Sequence, residues 1–105
     1  MKIDFDAVIV NAAGEPMTDI DRPTAVVTLA TIASSSLFAS LPDDQSLEPA
    51  RKAEYGALGI QLFAGGAHDL KVEQIALLKD RIGRTYAPLV VARAFDLLDP
   101  ADASA

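Results

Sequence analysis

His68 is the only histidine in the chain, and it stands beside Asp69. A carboxylate next to an imidazole can orient the ring and hold the proton that base catalysis moves. The pair follows Gly65–Gly66–Ala67, however, with no G-x-S-x-G serine to activate and no cysteine anywhere in the chain. The sequence therefore predicts a surface-loop histidine rather than a general base. Tyr55 and Tyr86 carry acidic hydroxyls, but each falls beside apolar residues at helical spacing, as a core or boundary tyrosine does. One histidine without a thiolate leaves only an all-oxygen metal site, which needs several converging carboxylates and carbonyls. The acidic pairs Asp43–Asp44 and Asp19-x-Asp21 do not continue into a calcium-loop spacing, and no glycine pattern makes a phosphate cradle. No catalytic, metal-binding or cofactor-binding residue is assigned, no cofactor is expected, and the role is read as non-enzymatic.

Charge is the next feature that bears on function. The formal net charge is −6. Residues 1–48 hold the acids Asp4, Asp6, Glu15, Asp19, Asp21, Asp43, Asp44 and Glu48 against Lys2 and Arg22, whereas the remainder is balanced. Direct binding to nucleic acid or to an anionic membrane would need a cationic footprint and is disfavoured. An acidic surface instead suits a basic protein partner, including one that itself binds nucleic acid. Asp19, Asp21, Asp43 and Asp44, all on segments expected to be exposed loops, are the candidate contacts. Lys79, Arg81, Arg84 and Arg93 form a basic cluster near a helix junction, read as complements to a helix dipole or as a docking patch.

The chain of 105 residues is short enough for one domain, 50% hydrophobic and 6% aromatic, so a modest, finely packed core is expected. No apolar run approaches the roughly 20 residues of a membrane span. Asp4 and Asp6 sit where a leader's apolar segment would run, so a soluble protein that stays in the compartment of its synthesis is expected.

From the N-terminus, KIDFDAVIV alternates and then becomes β-branched, which predicts a strand. Asn11–Pro16 supplies turn residues, so an N-terminal β-hairpin is expected, its second strand lying between Met17 and Val27. Thr28 is positioned to cap a first helix that turns Leu29, Ile32, Ala33 and Leu37 inward. After a polar loop, Ser46 is a natural cap for a second helix with Pro49 in its first turn and a Gly65–Gly66 stop. Leu58, Ile60, Leu62 and Phe63 make its apolar face, and Gly56 and Gly59 read as a close-packing seam. The predicted class is α+β, mainly helical: an N-terminal β-hairpin on about four α-helices in a single domain, with 99–105 a frayed tail.

The last third, Asp69–Leu98, is the most strongly patterned. Val72, Ile75, Leu78 and Ile82 recur at helical steps, Gln74 offers half a capping box behind Lys71, and Gly83 breaks the run. Pro88 then opens a helix whose inward residues are Leu89, Val91, Ala94, Phe95 and Leu98. Together with Gly14–Glu15–Pro16 and Thr28–Leu29, the positions Glu73, Ile75, Leu78, Lys79, Ile82, Gly83, Tyr86, Pro88, Leu89, Val90 and Val91 give a pattern that resembles a group of small proteins of tailed bacteriophages and prophages. Lys71 in place of a Ser or Thr cap and Leu77–Leu78 in place of Leu–Ile depart from that pattern. The resemblance implies a viral origin and a non-enzymatic role in the host cytoplasm. The expected function is a binding protein, an inhibitor that occupies a host nucleic-acid-binding or defence complex through its acidic surface. The alternative is a virion or tail-assembly component acting as a homo-oligomer.

Overall fold

The computed structural model describes residues 1–18 and 25–99. Two short strands, β1 (Lys2–Asp4) and β2 (Ala67–Asp69), pair antiparallel, with Ile3 opposite His68. Four helices follow in the order α1 (Leu29–Phe38), α2 (Pro49–Phe63), α3 (Val72–Thr85) and α4 (Pro88–Leu98), and β2 falls between α2 and α3. A 3₁₀ turn, Pro42–Ser46, links α1 to α2. The mainly helical α+β class with an N-terminal antiparallel sheet is thus present. No helix of the described residues is long and apolar enough to cross a membrane.

The strand pairing differs from the expected hairpin. The partner of β1 comes from the segment after α2, far along the chain, because Gly65 and Gly66 turn it back at φ +75° and +82°. The Gly66 carbonyl accepts from Phe5 N–H at 2.9 Å, and Asp6 Oδ1 accepts from Gly66 N–H at 3.0 Å. Among the described residues, the stretches expected to pair as the hairpin, residues 2–10 and 17–27, make isolated bridges, Val8 with Thr28, Val10 with Pro16 and Thr18 with Val26. Their bonds converge on Ile9, whose N–H donates to Val27 O and whose carbonyl accepts from Met17 N–H, both at 2.9 Å. Alternation put Ile3 and Phe5 on one face, and both are buried, as is Ile9 of the β-branched run.

Thr28 caps α1 weakly, its hydroxyl accepting from Thr31 N–H at 3.5 Å. This helix is the hub of the packing, with α2, α3 and α4 all against it. Its burial is nearly all-round, so even Ser34 and Ser36 are inside. Ser36 survives there by donating its hydroxyl to Ala33 O at 2.7 Å, since a buried hydroxyl without a partner costs free energy. For α2, Pro49 does open the first turn, but Glu48 is the cap residue and Ser46 instead donates to Asp43 O at 2.8 Å.

On α3 the expected half-box forms: Gln74 Oε1 accepts from Lys71 N–H at 2.9 Å. Ile75, Leu78 and Ile82 are buried as the spacing requires, while Val72 is exposed. Gly83 does not end the helix. The chain stays helical through Thr85, whose hydroxyl donates to Arg81 O at 2.7 Å. The break belongs to Pro88, which bars the preceding residue from helical geometry, and Ala87 is extended at ψ 160°. In α4, Ala94 and Leu98 are fully inside and Phe95 and Val91 partly so, while Leu89, in the first turn, is exposed.

Candidate functional site

Arg81 is the largest of the fully buried side chains, with 1% of its surface exposed. Three steps from Leu78 and one from Ile82, it lies on the inward face of α3 and reaches the C-terminal end of α1. The last carbonyls of a helix have no partner within it. Arg81 supplies partners from outside: Nε donates to Ser36 O at 3.0 Å and Nη2 to Ala39 O at 2.7 Å. Nη1 donates to Asp44 Oδ1 at 2.6 Å, and the guanidinium carbon lies 5.3 Å from the centre of the Tyr55 ring. A planar fork of five donors is suited to this many-sided task, and a lysine could not do it.

Asp44 is held just as tightly. Its other oxygen accepts from Leu41 N–H at 2.8 Å, closing the 3₁₀ turn, and its side chain is only 13% exposed. The expectation that Asp44 is an exposed contact is therefore corrected: one end of the carboxylate caps a turn and the other is spent on an internal ion pair. The hydrogen bond from Arg81, then the bond from the Leu41 backbone, hold this carboxyl below its ordinary 3.8. A carboxyl depressed in the folded state adds stability above its unfolded pKa and loses it as pH falls through the folded one. Urea midpoints are accordingly expected to be level from neutral pH down to the ordinary aspartate range and to fall below it. In an Asp44→Asn variant the part of that decline due to this carboxyl is expected to be absent.

Asp43, the neighbouring acid, is exposed and pairs with Arg84 Nη1 at 2.9 Å, and Arg84 Nη2 also meets Asp80 at 3.2 Å. Asp19 and Asp21 lie outside the described residues. The four cations of the basic cluster each have a partner within the chain. Lys79 pairs with Asp99 beneath the Phe95 ring, and Arg93 Nη2 donates to Asn11 O at 2.8 Å. Each cation of that cluster is used to tie one element to another.

His68 sits on β2, half-buried, rather than in a surface loop. Its Nε2 is 2.9 Å from Gly65 O, which assigns the proton to Nε2, and Nδ1 is 3.4 Å from Gln61 Nε2. The ring stands edge-on to Phe5 with centroids 5.7 Å apart. Asp69, on the opposite face of the strand, binds the Met1 amino group at 2.8 Å, so the two neighbours form no dyad. Among the described residues no three potential ligands come together as a metal site.

What the fold does assemble is a cleft of about 330 Å³ between the end of α1, the 3₁₀ turn and α2. The Arg81–Asp44 pair lies at its base, Phe38 and Tyr55 supply aromatic walls, and Lys52 and Gly56 line the α2 side. The two glycines of α2 behave differently here. A Cβ on Gly59 would fall 2.5 Å from Phe38 Cε1, so the Phe38 ring lies against this glycine and would have to shift for a larger residue. A Cβ on Gly56 would meet nothing within 4 Å, which corrects the expectation of a seam at that position. A helix-interior glycine costs about 1 kcal/mol against alanine, and no neighbour at Gly56 requires it.

Beside the cleft, helical phase leaves large apolar groups in solvent. Leu58 and Leu62 take the inward face of α2, which turns Ile60 (69% exposed) and Phe63 (68%) outward, with Phe38 (51%) beside Gly59. The expectation that Phe63 belongs to the core is thus corrected. Sequence reasoning missed Arg81, Tyr55, Lys52 and Phe38 as site residues. The signal for Arg81 was its spacing with Leu78 and Ile82, and for Asp44 its position three residues after Leu41. No protein-family model, no curated protein and no solved structure matches this chain.

Proposed function

We propose that this chain is a phage-encoded, non-enzymatic binding protein that works in the host cytoplasm by occupying the surface of another protein. The observation that carries this reading is the outward strip of Ile60, Phe63 and Phe38. Monomeric soluble domains seldom leave neighbouring large apolar groups in water, and interface centres are built from aromatic and apolar anchors. The acidic charge acts as the complement to that strip. At net −6 the chain favours a basic partner, and exposed Asp43, Glu48 and Glu15 raise the encounter rate with it. A nucleic-acid-binding or defence complex of the host has the required basic cleft, so inhibition by occupancy is the proposed outcome. The strip also suits a homo-oligomer in a virion or tail assembly. Light scattering at tens of micromolar distinguishes the two, a monomer supporting the inhibitor and a ring or filament the assembly role.

The test is recovery of partners from host lysate by wild type, by Phe63→Glu, and by a triple Asn variant at Asp19, Asp21 and Asp43. Asp44 is left intact because it belongs to the fold. Phe63→Glu is expected to cut recovery about thirtyfold, the size of a 2 kcal/mol anchor, and the triple variant to weaken recovery and its salt dependence. Undiminished recovery by Phe63→Glu would remove the strip from the interface. Identical recovery by the triple variant would remove those acids.

A further inference from the structure

The α1–α2 cleft has the attributes of a small-molecule site, and its chemistry selects one class of occupant. Its volume of about 330 Å³ lies at the lower end of the range for ligand pockets. The walls are mainly apolar, with two aromatic rings, Phe38 and Tyr55, and the base carries the buried Arg81–Asp44 pair. Because those two charges neutralise each other, the charge that remains on the lining is that of Lys52, which has no carboxylate within 4 Å among the described residues. Gly56 is the second, independent sign. It is a costly residue in mid-helix, it faces open space, and it lines this cleft, so the glycine serves the space rather than the packing.

We propose that this cleft binds a small carboxylate with an aryl body, the ring lying between Phe38 and Tyr55 over Gly56 and the carboxylate paired with Lys52. An aromatic cation is rejected because Lys52 repels it, and a ligand without a ring forfeits the aromatic walls. The site shares Phe38 with the outward strip, but Ile60 and Phe63 do not line it, and it stands whether or not that strip binds protein.

The experiment is a titration of the full chain with 3-phenylpropionate followed by backbone amide NMR, with 2-phenylethylamine as the same body bearing the opposite charge. Saturable shifts are expected at Lys52, Tyr55 and Gly56 with the acid, and at least tenfold weaker binding of the amine. Lys52→Glu is expected to reverse that preference. Gly56→Leu is expected to abolish binding by filling the cleft, and Gly56→Ala to melt no lower than wild type while binding more weakly. The proposal is overturned if the acid gives no saturable shift, if acid and amine bind alike, or if Gly56→Leu, folded by its amide spectrum, binds as wild type does.

Discussion

Replacing Arg81 by Met is expected to cost about 3–5 kcal/mol of folding stability, the loss seen when one member of a buried ion pair is removed. The substitution keeps an unbranched apolar stem of similar reach, so a cavity is not the cause. What is lost is a set of three hydrogen bonds that join α3 to Ser36 and Ala39 at the end of α1 and to Asp44 in the 3₁₀ turn. Two helix-end carbonyls then lack their donors and a carboxylate 13% exposed loses its counter-charge, each a penalty of its own. Against a typical total of about 5–15 kcal/mol, the variant should be largely unfolded at moderate temperature or show a much lower urea midpoint. An unfolding free energy within about 0.5 kcal/mol of wild type would mean that Arg81 is not the tie between these elements.

Ile82→Ala is expected to cost about 2–5 kcal/mol, from lost transfer energy and from the cavity left behind. Ile82 is fully buried, beside Leu78 on the face of α3 that meets α1. The surrounding Leu29, Leu78 and Leu98 belong to the same core and are themselves fully buried, so collapse into the vacated space is limited. Denaturant unfolding measures the loss, with the slope unchanged if the native state stays compact. A melting temperature unaffected by this substitution would remove α3 from the core.

Much of the fold was legible in the sequence because helix periodicity and stop residues act locally. Leu58 with Leu62, and Ile75, Leu78 and Ile82, were buried where the 3.6-residue period put them. Gly65–Gly66 ended α2, and Pro88 opened α4. The errors lie where a distant partner decides. β1 alternates in sequence, but its partner Ala67–Asp69 carries no strand pattern and is brought there by the glycine turn. Phe63 satisfies a broad apolar face on paper, yet the narrower stripe of Leu58 and Leu62 fixes the rotation of α2 and leaves Phe63 outside.

The candidate site was less legible for the same reason. Asp43 and Asp44 are adjacent and chemically identical, and only the position of Asp44 three residues after Leu41 distinguishes them locally. Arg81, more than thirty residues away, makes Asp44 internal, while Asp43 stays on the surface with Arg84. In the same way the basic cluster, which suits a helix dipole or a docking patch by sequence, divides into separate ties. Of the acids that sequence marks as contacts, Asp44 holds the fold together, and Ile60 and Phe63 of the expected apolar face lie outside.

The inward role of charge is tested most directly by a double-mutant cycle on Arg81→Met and Asp44→Asn, measured by urea unfolding of the two single variants, the double variant and wild type. Groups that share one buried hydrogen-bonded pair show coupling of about 0.5–3 kcal/mol. A bond of 2.6 Å between side chains 2% and 13% exposed places this pair in the upper half of that range, with the double variant less destabilised than the sum of the singles. Additivity within about 0.3 kcal/mol would contradict the pairing, return Asp44 to the surface acids and leave the base of the cleft without its support.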